Sequence, residues 1–174
     1  GMYIVKSLVD AMNGKIEINS KINCGTKVTV HLPLEIGSKE ETKLVRNNFD
    51  FKGKKILLVD DDPINIKVGR KFLERKEFIV DTAESGFEAI EKIKNYKDYN
   101  LVLMDIRMPE LNGYDTTKQI RSMESEYFKN VPIIAMSANA FEEDIALSKE
   151  SGMNDHISKP VKPEILYDVI SKYI

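Results

Sequence analysis

Short apolar runs bounded by polar turns recur along the last two thirds of this chain. Three of them have four residues each, at 56–59, 101–104 and 133–136. Runs of this length between turn residues are typical of buried parallel strands. Between the runs, apolar residues recur at helical spacing, as in Ile64, Val68 and Phe72. The alternation of the two patterns predicts an α/β domain over residues 53–174.

The predicted fold class of that domain is α/β, a flavodoxin-like doubly wound sheet of five parallel strands with helices on both faces. The expected strand order is 2-1-3-4-5, in which strands 1 and 3 are neighbours. Residues that follow these two strands should therefore lie side by side. Further helical sets are Phe87, Ile90 and Ile93, then Phe141, Ile145 and Ser148, and finally Ile165, Val169 and Tyr173.

The first third of the chain has a different pattern. Apolar residues from Ile4 to Met12 form one helical stripe, which Asn13 and Gly14 end. Two segments with alternating apolar residues follow, with a turn near 23–25, and they predict a β-hairpin. Residues 1–34 should therefore form a small helix plus β-hairpin. Residues 35–52 have few apolar side chains, which indicates a linker.

Five polar side chains fall at the ends of the predicted strands. Asp60 and Asp61 follow the first apolar run, and Asp105 follows the run that ends at residue 104. Ser137 follows the next run, and Lys159 lies in the last short segment. In an open α/β sheet, ligands bind outside the carboxyl ends of the strands. All five side chains are therefore expected at one rim.

The charges at this rim predict a magnesium site. Three neighbouring carboxylates repel one another and recruit a cation, and a site without Cys or His suits Mg²⁺, which also accepts phosphate oxygens. Phosphoryl transfer requires mainly positioning and charge neutralisation. Asp105 is then the predicted acceptor, Lys159 balances one phosphoryl oxygen, and Ser137 donates a hydrogen bond to another.

Several polar residues at the strand ends, taken singly, also have a structural explanation. Asp62 before Pro63 is typical of a helix N-cap followed by proline at the first helical position. Ser137 alone could cap the helix that follows it, and Lys159 alone could be a solvated loop residue. Asp105 alone could form a turn at a strand end. The phosphoacceptor hypothesis explains why all of them occur at strand ends together.

Four segments resemble the receiver domains of two-component signalling. The residues of the first and third segments are similar to those of receivers attached to hybrid histidine kinases. The similarity rests on Asn65 in the first segment and on Ser137-Ala138-Asn139-Ala140 in the third. The four segments, in chain order, are 59–65, 104–113, 132–140 and 152–161.

The resemblance implies roles for individual residues. Asp105 is the phosphorylated residue, and Asp61 and Asp105 bind Mg²⁺ directly together with the backbone carbonyl of Arg107. Asp60 acts on the metal largely through water. The implied partner is a histidine kinase or a histidine phosphotransfer domain.

The same resemblance implies a switch made of Ser137 and His156. His156 stands three residues before Lys159, where the family has a Tyr or Phe ring that moves inward on phosphorylation, so the switch is expected to be altered here. An exposed strand histidine is the alternative. Receivers commonly have a cis Lys-Pro bond, and we expect one at Lys159-Pro160.

Residues 1–34 resemble the last part of the ATP-binding domain of sensor histidine kinases. The resemblance rests on the helix, the hairpin, Gly25-Thr26 and the ending at 32–34. It implies a hybrid sensor histidine kinase as the parent, with the ATP-contacting motifs upstream of residue 1. The chain alone is then expected to bind no ATP. An unrelated amphipathic helix with a hairpin is the alternative.

Composition narrows the remaining classes of partner and location. The net charge of −2 gives no electrostatic reason to expect nucleic acid. The lone Cys24 excludes an internal disulfide and a cysteine-based metal site. No apolar run reaches the length of a membrane span, and no signal peptide is visible. The segment is expected in the cytoplasm without membrane contact, any anchor lying upstream, and a homodimer is left open.

Three functions are compatible with these observations. The leading one is a receiver whose Asp105 takes a phosphoryl group from a phosphohistidine with Mg²⁺ and relays the signal. The second is a Mg²⁺-dependent phosphohydrolase with a covalent aspartyl phosphate, although its usual haloacid-dehalogenase signature has an acid where this chain has Arg107. The third is a docking module that is not phosphorylated.

Whether the chain acts as an enzyme is uncertain. It lacks a complete ATP site and a phosphorylatable histidine motif, while a receiver supports its own phosphotransfer and slow autodephosphorylation. A DNA-binding output is not expected, because the chain stops at Ile174 directly after the last predicted helix.

Overall fold

The computed structural model describes residues 2–21, 25–33, 51–138 and 142–174. The chain divides into two compact units, Gly1–Arg46 and Asn47–Ile174. The predicted turn at 23–25 and the predicted linker fall largely outside the described residues.

The first unit contains the predicted helix and hairpin. Helix α1 covers Met2–Ala11, and strands β1 (Lys15–Lys21) and β2 (Gly25–His31) pair antiparallel. Asn13 ends the helix in a left-handed conformation with φ of 53°, and the Gly14 amide donates to the Val9 carbonyl at 2.8 Å. Val9 is buried, whereas most of the helical stripe is exposed.

The second unit is a five-stranded parallel sheet flanked by helices. The strand order β4-β3-β5-β6-β7 is the predicted order 2-1-3-4-5 when strands are counted within the domain. The strands are β3 (Lys55–Val59), β4 (Ile79–Ala83), β5 (Leu101–Asp105), β6 (Ile133–Ser137) and β7 (Asp155–Ser158). The helices are α2 (Pro63–Glu74), α3 (Gly86–Tyr96), α4 (Gly113–Arg121), α5 (Glu126–Asn130), α6 (Glu142–Glu150) and α7 (Pro163–Ile170).

Two hydrophobic clusters cover the two faces of this sheet. Successive strand side chains point to opposite faces, so Leu57 and Val59 belong to one cluster and Ile56 and Leu58 to the other. All residues of β5 and β6 are buried, which explains why these strands are continuous apolar runs. Phe51, within the predicted linker, stacks on Phe78 with ring centroids 4.7 Å apart, so the core of this unit includes it.

Apolar spacing did not indicate α4 or α5. In α4 the buried positions include Thr116 and Thr117, whose hydroxyls donate to the carbonyls of Asn112 and Gly113. A buried threonine satisfied by the preceding turn packs as an apolar residue but is polar in the sequence pattern. Helix α5 has five residues, too few to show a helical period.

Candidate functional site

The structure places the five predicted site residues at the carboxyl ends of four strands. Asp60 and Asp61 follow β3, Asp105 ends β5, Ser137 ends β6, and Lys159 follows β7. Strands β3 and β5 are hydrogen-bonded neighbours, so the two acidic segments meet at the rim. The prediction that these side chains share one edge of the sheet agrees with this geometry.

Three carboxylates form an acidic cluster at this rim. One oxygen from each of Asp60, Asp61 and Asp105 lies within 4.8 Å of the others. Asp60 and Asp105 are buried, with 1% and 4% of their surface exposed, while Asp61 is exposed. An all-oxygen donor set of high negative charge, open to water on one side, fits Mg²⁺, which binds through few carboxylates and keeps several waters.

Lys159 bridges the two buried acids. Its Nζ atom lies 2.7 Å from Asp60 Oδ2 and 2.9 Å from Asp105 Oδ1. Burial lowers the pKa of Lys159, but the hydrogen bonds and charges of the two carboxylates outweigh it and hold the pKa above its usual value. The ammonium group is therefore charged at neutral pH.

The pKa of the Asp105 carboxyl is also raised. Burial is the largest cause, the charge of Asp60 adds to it, and the hydrogen bonds from Lys159 and from the Arg107 amide oppose it. The pKa values of both partners of this ion pair thus shift upward, because two carboxylates favour the charged form of Lys159, whereas burial disfavours the charged form of Asp105. This rim has an excess of negative charge that a divalent cation would neutralise.

Two hydrogen-bond donors besides Lys159 hold Asp60. Its Oδ1 atom accepts from the Asp62 amide and from Asn65 Nδ2, each at 3.0 Å. The sequence does not predict this role of Asn65, because the hydrogen bond depends on how α2 leaves the strand end. Asp62 itself caps α2, accepting from the Ile64 amide at 2.8 Å, as the N-cap interpretation predicts.

The backbone after Asp105 folds tightly. The Gly113 amide donates to the Ile106 carbonyl at 3.0 Å. A Cβ atom at Gly113 would collide with the Asp105 backbone, so this position requires glycine. Arg107 is exposed in this loop, two residues after the acid.

Ser137 and His156 are in direct contact. Ser137 Oγ lies 2.9 Å from His156 Nε2, and the Ser137 carbonyl accepts from the Lys159 amide at 2.6 Å. The Lys159-Pro160 peptide is cis, as predicted. The last strand therefore links the serine and the lysine of the rim.

An apolar cavity of about 150 Å³ lies beside the acidic cluster. Asp60 and Lys159 line it at the rim, and Val68 and Gly69 from α2 line it together with Leu166 from α7. On helix α2, Ile64 exposes 70% of its surface.

The chain matches the family model described as the response regulator receiver domain over residues 56–171. It is 32% identical to the autoinducer 2 sensor kinase/phosphatase LuxQ of Vibrio vulnificus, an alignment that covers 97% of this chain and 20% of that protein. The chain thus spans about a fifth of the length of this relative.

Two solved structures are similar to about 70% of this chain. The receiver domain of sensor histidine kinase PA1611 from Pseudomonas aeruginosa, with a magnesium ion coordinated in its active site cleft, is 36% identical with a TM-score of 0.64, over 70% of this chain and 97% of that one. A chain from the Saccharomyces cerevisiae co-crystal of the histidine phosphotransfer protein Ypd1 and the Ssk1 receiver domain is 28% identical with a TM-score of 0.64, over 71% and 90%.

Among the described residues, no helix is long and apolar enough to cross a lipid bilayer.

Proposed function

This chain belongs to the response regulator receiver family of two-component phosphorelay signalling, and we propose that Asp105 is its phosphoacceptor. One observation carries the proposal. The Asp105 carboxylate ends the central strand, contacts the Lys159 ammonium at 2.9 Å and shares an acidic cluster with Asp60 and Asp61. This proximity supports the proposal, because phosphoryl transfer requires a nucleophile, cation ligands and a charge-balancing group at one place.

In the proposed reaction, an Asp105 carboxylate oxygen attacks the phosphorus of a phosphohistidine. The new O–P bond forms as the P–N bond breaks, and the histidine nitrogen leaves with the bond's electron pair and takes a proton from solvent. Asp60, Asp61, Asp105 and the Arg107 carbonyl would hold Mg²⁺, which would neutralise charge on the transferring oxygens.

Two other side chains complete the phosphoryl site. Lys159 keeps its ammonium charged because two carboxylates raise its pKa, so it can balance a phosphoryl oxygen. The Ser137 hydroxyl, at the end of β6, supplies a hydrogen bond. The phosphohydrolase alternative gains no support, because Arg107 stands where that signature needs an acid.

The proposed partner is a histidine-bearing phosphodonor that docks on α2 beside the acidic cluster. Its histidine must reach Asp105, so the contact surface has to border the rim. Ile64 and Val68 expose 70% and 44% of their surface one helical turn apart, next to the apolar cavity. Exposed apolar residues around a buried acid suit a partner helix that excludes water during transfer.

We also propose the domain organisation expected from the sequence. Residues 1–34 would be the C-terminal remnant of a histidine kinase ATP-binding domain, 35–52 a linker and 53–174 the receiver. The helix and hairpin in the first unit, and an alignment with a sensor kinase that covers 97% of this chain, support this order. The parent would be a hybrid sensor histidine kinase whose receiver faces the cytoplasm.

Labelling with a small phosphodonor tests the acceptor. Acetyl phosphate plus Mg²⁺ should give one acid-stable, base-labile adduct on Asp105 in the intact chain, located by mass spectrometry. Asp105→Asn should abolish the adduct and a chelator should suppress it. The matched control is Asp62→Asn, which removes a neighbouring charge while asparagine still caps α2. Undiminished labelling of Asp105→Asn, or indifference to the chelator, would refute the assignment.

A further inference from the structure

His156 has an unusual hydrogen-bonding environment for a residue outside the acidic cluster. Its Nε2 atom lies 2.9 Å from Ser137 Oγ, and Ser137 exposes only 2% of its surface. Its Nδ1 atom is buried and has no hydrogen-bond partner among the residues that the structure describes. The two ring nitrogens therefore differ sharply in what surrounds them.

This difference selects one tautomer of the neutral ring. A neutral imidazole carries a single N–H, on Nδ1 or on Nε2. A proton on Nδ1 would be a buried donor without an acceptor, which proteins rarely contain. A proton on Nε2 is directed at Ser137 Oγ. His156 therefore donates and the serine oxygen accepts.

We propose that His156 is a positioning residue that orients the Ser137 hydroxyl toward the phosphoryl group, an inference that rests on the proposed phosphorylation of Asp105. A serine hydroxyl has one proton and two lone pairs. Once His156 engages a lone pair, rotation about the Cβ–Oγ bond is restricted, and the proton must point away from the ring.

The direction away from the ring leads toward the acceptor strand. His156 lies on β7, on one side of β6, and Asp105 ends β5 on the other side. In the sheet register Met136 pairs with Asp105, and Ser137 is the next residue. The sheet order thus puts the proposed acyl phosphate on the side of β6 opposite to His156, and the positioning role requires the Ser137 proton to be directed to that side.

The tautomer can be measured in the wild-type chain without any phosphodonor. Long-range ¹H–¹⁵N spectra of the neutral ring should show His156 protonated at Nε2, with that proton protected from exchange. His31, the other histidine, is exposed on the hairpin and is the internal reference. Ser137→Ala should remove the protection. Protonation at Nδ1 would overturn the proposal.

Variants test the positioning role, with beryllofluoride plus Mg²⁺ as the phosphoryl probe. His156→Leu should weaken probe binding about five- to tenfold, the size expected for loss of one neutral hydrogen bond. His156→Gln keeps a terminal N–H and should recover most of the loss. In a Ser137→Ala background, His156→Leu should cause no further loss of probe binding, because the two residues act as a unit.

The outcomes separate this inference from the proposed function. Absence of Asp105 labelling in the wild type would refute the phosphoacceptor, whereas the tautomer measurement would stand unchanged. Two results would overturn the positioning role while leaving Asp105 as the acceptor. One is that His156→Leu weakens beryllofluoride binding equally with and without the Ser137 hydroxyl. The other is that His156→Gln restores no binding. If His156→Leu fails to fold, the wild-type spectra still decide.

Discussion

Replacing Lys159 by alanine should destabilise the receiver strongly in the absence of divalent cations. The change leaves the buried carboxylates of Asp60 and Asp105 without the ammonium that bridges them at 2.7 and 2.9 Å. Removing one partner of a buried ion pair typically costs 3 to 5 kcal/mol because it leaves an uncompensated charge.

The lower end of that range applies here. The Lys159 side chain is 20% exposed, and the raised pKa of Asp105 lets that carboxyl take up a proton more readily than an ordinary acid. We therefore expect the free energy of unfolding to fall by about 3 kcal/mol. Excess Mg²⁺ should recover part of this loss and should stabilise the variant more than the wild type, because the ammonium no longer competes for the carboxylates.

Urea unfolding followed by near-ultraviolet circular dichroism measures this change selectively. Six of the seven tyrosines lie between residues 96 and 173, so the signal reports the receiver. The matched control is Lys172→Ala. Lys172 also approaches two aspartates, Asp155 at 3.6 Å and Asp168 at 3.8 Å, but its side chain is 53% exposed. Such exposed pairs contribute about 0 to 1 kcal/mol.

Two results would contradict the reasoning about Lys159. One is a loss of stability no larger than that of the Lys172 control. The other is an equal stabilisation of the variant and the wild type by Mg²⁺. That result would mean that the Lys159 ammonium does not compete with the cation for the carboxylates.

Two further changes test contacts around the sheet. The Tyr99 hydroxyl donates a hydrogen bond to Asp81 at 2.6 Å. Burial raises the pKa of Asp81, but the hydrogen bond from Tyr99 and other hydrogen bonds hold that pKa below its usual value. Tyr99→Phe should cost about 1 to 2 kcal/mol at neutral pH. A depressed carboxyl pKa contributes stability only above the unfolded value of about 4. The difference in the free energy of unfolding between the variant and the wild type should therefore shrink at pH ~3. An equal difference at both pH values would count against this account. Asn65→Ala should weaken Mg²⁺ binding about tenfold in calorimetry, because Asn65 orients Asp60, and unchanged affinity would show that the amide has no such role.

The order of the strands and the location of the rim were predictable from local patterns. Each apolar run is short enough to be one strand, and the two-sided burial of a parallel sheet makes such runs continuous. Polar residues directly after the runs then had to meet at the carboxyl edge. Helix α4 could not be predicted in this way, because buried Thr116 and Thr117 hide its apolar period.

The connections between these residues were decided by the tertiary structure. Lys159 meets Asp60 across 99 positions of sequence, and His156 meets Ser137 across 19. Hydrogen bonds such as these depend on register, side-chain rotamers and burial, which arise only when distant strands pair. Sequence patterns carry the period of each element, and so they placed the acids, the serine and the lysine at one edge. Which oxygen or nitrogen each of them faces is a property of the packed sheet, because only packing fixes the direction of a side chain.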